Sequence, residues 1–145
     1  MPTIYRPMKT DEDMLPRCGA ASKELGVRIP PNEHSDVDVT EENTVVLNRR
    51  GMSVGRHWTS LPGHLIPKRL VQTFPGATGS NSLSCYRFGH GEFTDGTITN
   101  DLLLALKPNS TTLGNLVPVY EMSVESLQTA LGQTRERWVV DEDLP

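Results

Sequence analysis

Cysteine is scarce in this chain of 145 residues, which contains only Cys18 and Cys85. The two cysteines are far apart and form no CxxC pair, so the sequence excludes a disulfide-stapled scaffold and a zinc ribbon. We expect both to be buried thiols. Long apolar runs are also missing: no stretch approaches the roughly 20 residues of a membrane span, and residues 1–9 lack the apolar core of a signal peptide. These absences predict a cytoplasmic protein that does not enter a membrane.

Acidic residues are absent between Glu42 and Glu92, although the whole chain carries a net charge of −4. Two interpretations of this acid-free middle stay open. Its cations form one positive cleft that binds an anion, or they scatter over several faces and pair with the acidic segments on either side. The overall acidity and the lack of a basic helix argue against binding to duplex nucleic acid. The cations are Arg49, Arg50, Arg56, Lys68, Arg69 and Arg87, together with His57, His64 and His90.

The distribution of apolar residues predicts an α+β fold in a single domain, residues 1–145, with a mostly antiparallel sheet of short strands. A small N-terminal helix is expected at residues 18–25. A C-terminal helix should begin after a Ser123 cap and carry one apolar stripe, namely Val124, Leu127, Leu131 and Trp138. Strands are expected at residues 3–6, ended by Pro7, and at residues 37–39, 44–47, 52–55, 83–88, 102–106 and 116–120.

Several motifs with known chemistry are absent. The glycine-rich stretch at residues 76–80 lacks the Gly-Lys-Ser/Thr of a phosphate-binding P-loop, and no serine has the surroundings of a hydrolase nucleophile. His57 and His64 have no carboxylate or cysteine at metal-ligand spacing, so we expect no metal site. The irregular stretch of residues 56–82 is the best candidate for a functional segment.

What is present is a dispersed set of short motifs. In chain order they are Ile4-Tyr5-Arg6, Gly51-Met52-Ser53-Val54, Ile66-Pro67 and Arg135-Glu136-Arg137-Trp138. In this order they resemble the small bacterial effector toxins of the Tse-two type, which have an ADP-ribosyltransferase-like fold. The resemblance implies a split antiparallel sheet, NAD as the cofactor, and a toxin that is delivered into a target cell. It also implies an acidic immunity or antitoxin protein as the partner.

The same resemblance assigns roles to individual residues. In that family an Arg or His on the first strand holds the ribose and phosphate side of NAD, and a serine-bearing strand supports the nicotinamide pocket. An aromatic ring stacks on nicotinamide, and a Glu stabilises the reacting ribose. By position these roles fall on Arg6, Ser53, Tyr86 and Glu121, with Arg56 as a further NAD-binding cation. Met52 stands where the family's strand has Thr, and neither Glu121 nor Glu92 belongs to a Glu-x-Glu or Gln-x-Glu pair.

Each assigned residue also has an ordinary structural explanation. Arg6 fits a surface cation of a strand, Ser53 a small residue at a tight strand contact, Tyr86 a core aromatic, and Glu121 an exposed residue ahead of a helix cap. Two hypotheses therefore stay open. One is an NAD-dependent ADP-ribosyltransferase or NAD glycohydrolase that acts as a bacterial effector toxin. The other is a non-catalytic binding module whose basic middle segment docks an acidic protein.

Overall fold

Seven strands form one sheet in the computed structural model, which describes residues 2–144. The strands are β1 (Ile4–Lys9), β2 (Met52–Gly55), β3 (Leu83–Phe88), β4 (Gly96–Thr97), β5 (Leu102–Leu106), β6 (Leu113–Pro118) and β7 (Val139–Val140). They lie in the order β4-β5-β6-β2-β1-β3-β7, and every neighbouring pair is antiparallel. With the α-helix α1 (Val124–Gly132), this sheet confirms the predicted α+β class.

The strand β1 lies inside the sheet but pairs unequally with its two neighbours. All six of its residues pair with β3, whereas only Tyr5 pairs with β2, opposite Gly55. The strand also runs through Pro7, where the sequence predicted it to stop. Lys9 bonds through its N–H and C=O to the segment at residues 17–23, away from β3, and Pro7 shares this orientation because backbone direction alternates along a strand. The missing N–H of Pro7 therefore costs no bond to β3.

Three predicted strands match the sheet, at residues 52–55, 83–88 and 102–106. The strand predicted at residues 116–120 is shifted, because β6 covers Leu113–Pro118. Gly51 explains how β2 reaches β6: a Cβ at this position would lie 1.9 Å from the carbonyl oxygen of Leu116. Only a glycine permits so close an approach of two backbones.

The helix α1 begins where the sequence predicted. Ser123 precedes it in an extended conformation, and its Oγ accepts a hydrogen bond from the Ser126 N–H at 3.1 Å. The predicted apolar stripe is buried in the main core: Val124, Leu127, Leu131 and Trp138. Among residues 2–144 no helix has both the length and the apolar character of a membrane span.

The prediction was wrong in placing Trp138 on this helix. The helix ends at Gly132, and a short 3-10 turn (Arg135–Arg137) follows. Thr134 makes the connection, since its Oγ1 donates to the Leu131 carbonyl at 2.6 Å and accepts from Trp138 Nε1 at 2.9 Å. The indole therefore enters the core from a separate segment, with 1% of its surface exposed.

The small N-terminal helix predicted at residues 18–25 is wrong. The segment forms turns instead, closed by an isolated bridge between Cys18 and Leu25. In an α-helix over residues 18–25 the Leu25 N–H would donate to the Ala21 carbonyl, four residues earlier. Here it donates to the Arg17 carbonyl at 2.7 Å, and the carbonyls of residues 22–24 accept hydrogen bonds from Arg6 and Lys9 of β1, so the segment is held by bonds to residues outside it.

The strands predicted at residues 37–39 and 44–47 are wrong as well. In the structure these segments make isolated bridges, such as that between Val39 and Val45, rather than a ladder. A tight turn joins them, with Asn43 in the left-handed region at a φ of 65°. The Val45 N–H then donates to the Met122 carbonyl at 2.9 Å and not to the facing segment. Val37 and Val45 are buried, whereas Val46 and Leu47 are exposed.

A second, smaller core lies on the other face of the sheet. Residues 56–82 cover β1 and β3 there with three 3-10 turns: Trp58–Ser60, Gly63–Leu65 and Lys68–Leu70. The side chains of this core are Tyr5, Trp58, Leu61, Ile66, Ala77 and Cys85. Burial raises the pKa of the Cys85 thiol to about 12. Cys18 is exposed, so the expectation of a buried thiol is confirmed only for Cys85.

Candidate functional site

Arg6 and Ser53, two of the residues assigned by resemblance, lie together in the structure. The Arg6 guanidinium donates to the Ser53 carbonyl at 2.7 Å through Nη1, and to the carbonyls of Ser22 and Glu24 at 3.0 Å each through Nη2. Arg6 is 6% exposed, and burial lowers its pKa to about 10. Its side chain therefore joins β1 to β2 and to the turns before Leu25, and it presents no open surface to a ligand.

Tyr86 lies directly opposite Arg6 on β3 and has no exposed surface. Its hydroxyl forms a hydrogen bond with Thr10 Oγ1 at 2.7 Å and donates to the Met14 carbonyl at 3.4 Å. Burial raises the pKa of this phenol. In this arrangement Tyr86 is a core aromatic, and a nicotinamide could stack on it only after core residues moved.

Glu121 and Arg56 lie beyond opposite ends of β6. Glu121 follows the strand and lines a hollow of about 520 Å³ beside α1, together with Asp101 and Glu125. Arg56 forms a backbone hydrogen bond to Thr112, just before the strand begins. The structure therefore brings Arg6, Ser53 and Tyr86 onto neighbouring strands and leaves Glu121 and Arg56 in separate hollows.

A cleft of about 620 Å³ opens at the end of the sheet where β1 begins and where β2 and β3 end. Antiparallel pairing gathers four chain segments at this end. They are Thr3 and Tyr5 at the start of β1, with Thr3 just before the strand, Arg56 and His57 after β2, residues 91–94 after β3, and Thr111 before β6. We name this hollow the sheet-end cleft. Its volume falls within the roughly 300–1,000 Å³ of small-molecule sites.

Four of the five arginines of the acid-free middle are paired with carboxylates from outside it. The ion pairs are Arg49–Asp95, Arg50–Asp38, Arg69–Glu142 and Arg87–Asp141. This is the second of the two arrangements that the sequence left open. Arg56 is different: within residues 2–144 its guanidinium forms no hydrogen bond or ion pair, while its backbone N–H is fixed on the Thr112 carbonyl at 2.9 Å. The cleft therefore contains an exposed guanidinium with no carboxylate partner among the residues that the structure describes.

Two aromatic rings form one wall of the cleft. The Tyr5 and His57 rings lie 4.7 Å apart between centroids and are tilted by 53°. His57 Nδ1 accepts the Thr59 N–H at 3.2 Å and so caps the first 3-10 turn, and burial lowers the pKa of the imidazole, which favours the neutral ring. The Tyr5 hydroxyl donates to Asp141 Oδ2 at 3.2 Å. Burial, followed by the charge of Asp141, raises the pKa of Tyr5 to about 12.

Glu92 supplies the carboxylate of the cleft. It lies in the loop after β3, is exposed, and forms no ion pair with Arg56. A guanidinium, a pair of rings and a carboxylate in one cleft could hold an anionic, ring-bearing ligand and stabilise a positive charge that develops on it. Within residues 2–144 no group of three His, Cys, Asp or Glu side chains is placed to hold a metal ion.

Sequence reasoning did not select Tyr5, His57 or Glu92 for this site. Tyr5 entered only as part of a motif, His57 only as a cation of the acid-free middle or a metal ligand, and Glu92 lacked the acidic pair of the family. All three lie near the end of the sheet where β1 begins and where β2 and β3 end, a position that depends on the strand order and not on the local sequence. A search of family models, of curated proteins and of solved structures finds no match to this chain. The site is therefore argued from its own geometry.

Proposed function

We propose that this chain is an NAD-cleaving effector, an ADP-ribosyltransferase or NAD glycohydrolase, and that NAD binds in the sheet-end cleft. The observation that carries the proposal is the exposed guanidinium of Arg56, which has no partner within residues 2–144, in a cleft that also contains a ring pair and a carboxylate. The antiparallel sheet, in which β1 and β2 pair at a single position, is compatible with the split sheet of that fold.

Each residue has a role that follows from its chemistry. Arg56 binds the pyrophosphate, because a guanidinium donates paired hydrogen bonds to phosphate oxygens. The rings of Tyr5 and His57 contact a base or the nicotinamide ring. Arg6 acts indirectly in this proposal, since its bonds to the Ser53, Ser22 and Glu24 carbonyls hold β1, which carries Tyr5, in place.

The reaction breaks the bond between nicotinamide nitrogen and the ribose C1′ carbon. The bonding electron pair leaves with nicotinamide, and positive charge develops on the ribose. Glu92 stabilises this charge through its carboxylate. Water, or a nucleophilic group of an acceptor molecule, then forms the new bond to C1′ and releases a proton. We favour Glu92 over Glu121 for this role because Glu92 shares the cleft with Arg56.

The test is nicotinamide release from NAD by the purified protein. Arg56→Gln should raise KM and Glu92→Gln should lower kcat, each reducing kcat/KM about 10- to 100-fold, because each removes a charged contact. Lys68→Gln is the matched control for the cation, since Lys68 is exposed and has no ion pair within residues 2–144. Glu121→Gln is the control for the carboxylate.

The outcomes separate the parts of the proposal. If Glu121→Gln abolishes release while Glu92→Gln does not, the carboxylate role belongs to Glu121. If the wild-type protein neither binds nor cleaves NAD, the enzyme proposal fails. A toxin that acts in the cytoplasm of a target cell should also stop bacterial growth when expressed there, and Glu92→Gln should relieve this effect.

A binding module remains the second candidate, and one surface favours it. A groove of about 200 Å³ runs between Val46 and Leu47 on one side and Val117 and Val119 on the other, with Arg49 at its rim. Val46, Leu47 and Val119 are 37%, 51% and 44% exposed. An acidic immunity protein bound here should dissociate more readily as salt is added, and a Leu47→Asp variant should not bind it.

A further inference from the structure

The last described segment of the chain pairs with the edge of β3 that does not face β1. Its β7 residues pair antiparallel with that strand, Val140 opposite Tyr86 and Val139 opposite Arg87. The Asp141 N–H continues the pairing to the Cys85 carbonyl at 2.8 Å. We name residues 139–144 the closing strap.

Three successive residues of the closing strap each hold a different part of the protein. Asp141 binds side chains of β1 and β3, and Glu142 binds Arg69 as well as the Cys85 N–H at 3.3 Å. The carbonyl of Asp143 accepts the Trp58 indole N–H at 2.8 Å. The strap therefore joins the sheet edge to the irregular segment that covers this face.

Asp141 is the strap residue whose side chain contacts a residue that lines the sheet-end cleft, namely Tyr5. Its Oδ2 accepts the Tyr5 hydroxyl at 3.2 Å and Arg87 Nε at 2.9 Å. Arg87 also donates through Nη1 to the Gly89 carbonyl at 3.0 Å, in the loop that leads to Glu92. One carboxylate thus connects the ring pair of the cleft, through Arg87, to the loop that carries Glu92.

The electrostatics agree with this geometry. Burial by itself would raise the pKa of Asp141, but hydrogen bonds from the Asp143 N–H, Arg87 and Tyr5 outweigh burial and lower it. The Tyr5 hydroxyl is a donor in the same contact, which stabilises the neutral phenol.

We propose that the closing strap sets the shape of the sheet-end cleft, with Asp141 as the positioning residue that holds both the Tyr5 ring and, through Arg87, the loop after β3. The inference rests on the proposed function only for its NAD readout. The strap is thereby a control point of the site, since displacing it releases the Tyr5 ring and the loop after β3 together.

The experiment compares Asp141→Asn with Glu142→Gln in the full chain. Glu142 lies in the same strap, but its contacts go to Arg69 and Cys85 rather than to residues that line the cleft. The first readout is NMR of ring-labelled tyrosine, with the Tyr5 resonance assigned by Tyr5→Phe. Asp141→Asn should lower the apparent pKa of Tyr5 from about 12, and Glu142→Gln should leave it unchanged.

The second readout is the Kd for NAD. Asp141→Asn should weaken binding by at least about tenfold, because small displacements of positioned groups cost that much or more, whereas Glu142→Gln should stay within about twofold. If Asp141→Asn does not fold, Tyr5→Phe is measured in its place. This variant keeps the ring and removes the hydroxyl group whose hydrogen bond Asp141 accepts. It should shift the ring resonances of the neighbouring His57 and weaken NAD binding.

The two proposals fail in different ways. If no NAD binds to the wild-type protein but Asp141→Asn alone shifts the Tyr5 titration, the strap inference stands and the proposed function fails. If NAD binds equally well to wild type and Asp141→Asn, with an unchanged Tyr5 titration, the strap inference is overturned. The inference is also overturned if Tyr5→Phe leaves both the His57 resonances and the NAD Kd unchanged.

Discussion

Replacing Arg6 by alanine removes a buried guanidinium that forms four hydrogen bonds to backbone carbonyls. Three acceptors lose their partner, the carbonyls of Ser22, Glu24 and Ser53. An unsatisfied buried acceptor costs about 1–3 kcal/mol, so three set a ceiling of about 9 kcal/mol. Water entering the vacated space and the relieved desolvation of the guanidinium reduce this figure. We expect Arg6→Ala to lower the free energy of unfolding by about 3–5 kcal/mol.

Urea unfolding monitored by tryptophan fluorescence measures this change, because Trp58 and Trp138 are both buried in the native state. Arg17→Ala is the matched control: Arg17 is half-exposed and forms a surface ion pair with Asp11 at 2.9 Å. Such pairs contribute about 0.2–1 kcal/mol, so the control should unfold at nearly the wild-type urea concentration.

Arg6 is therefore expected to be a structural residue and not a ligand contact. Unfolding of Arg6→Ala within about 1 kcal/mol of wild type would refute this role. If that stable variant also lost NAD binding, Arg6 would have the ligand-clamping role that the family resemblance assigned to it.

The other predictions concern the core, a close backbone contact and one carboxylate. Leu131→Ala should cost about 2–5 kcal/mol of unfolding free energy, because Leu131 is fully buried, and an unchanged urea midpoint would contradict its packing. Gly51→Ala should destabilise far more than Gly96→Ala in thermal melts, since the added Cβ meets a carbonyl oxygen at 1.9 Å in the first case and its nearest atom at 3.7 Å in the second. Asp141 has a lowered native pKa, so its contribution to stability is present above the unfolded value near 3.8 and is lost as pH falls through the native value. Wild type and Asp141→Asn should therefore converge in acid, and a constant difference in unfolding free energy would refute this.

The sequence predicted well those elements whose sequence patterns lie within a few neighbouring residues. The alternation in β3 and the cap and stripe of α1 are local, and both elements begin where expected. The wrong predictions concern segments whose backbone groups bond to distant residues. The carbonyls of residues 22–24 accept hydrogen bonds from Arg6 and Lys9 of β1, contacts that the local sequence does not encode.

The candidate site was harder to predict than the fold. Arg6 and Ser53, which the family resemblance assigned to one NAD site, do lie together, but the sequence did not show that backbone carbonyls occupy the guanidinium. Arg56, Tyr5 and Glu92 meet only because antiparallel pairing brings three strand ends together. Sheet order is a property of the whole chain, so no spacing along the sequence reveals this convergence.

Mapping NAD onto the protein by backbone amide NMR tests the central claim most directly. If NAD binds in the sheet-end cleft, the amide shifts on titration should concentrate at Thr3, Arg56 and His57, residues 91–94 and Thr111. Shifts concentrated at Glu121 and the start of α1, or no shifts at all, would contradict the account.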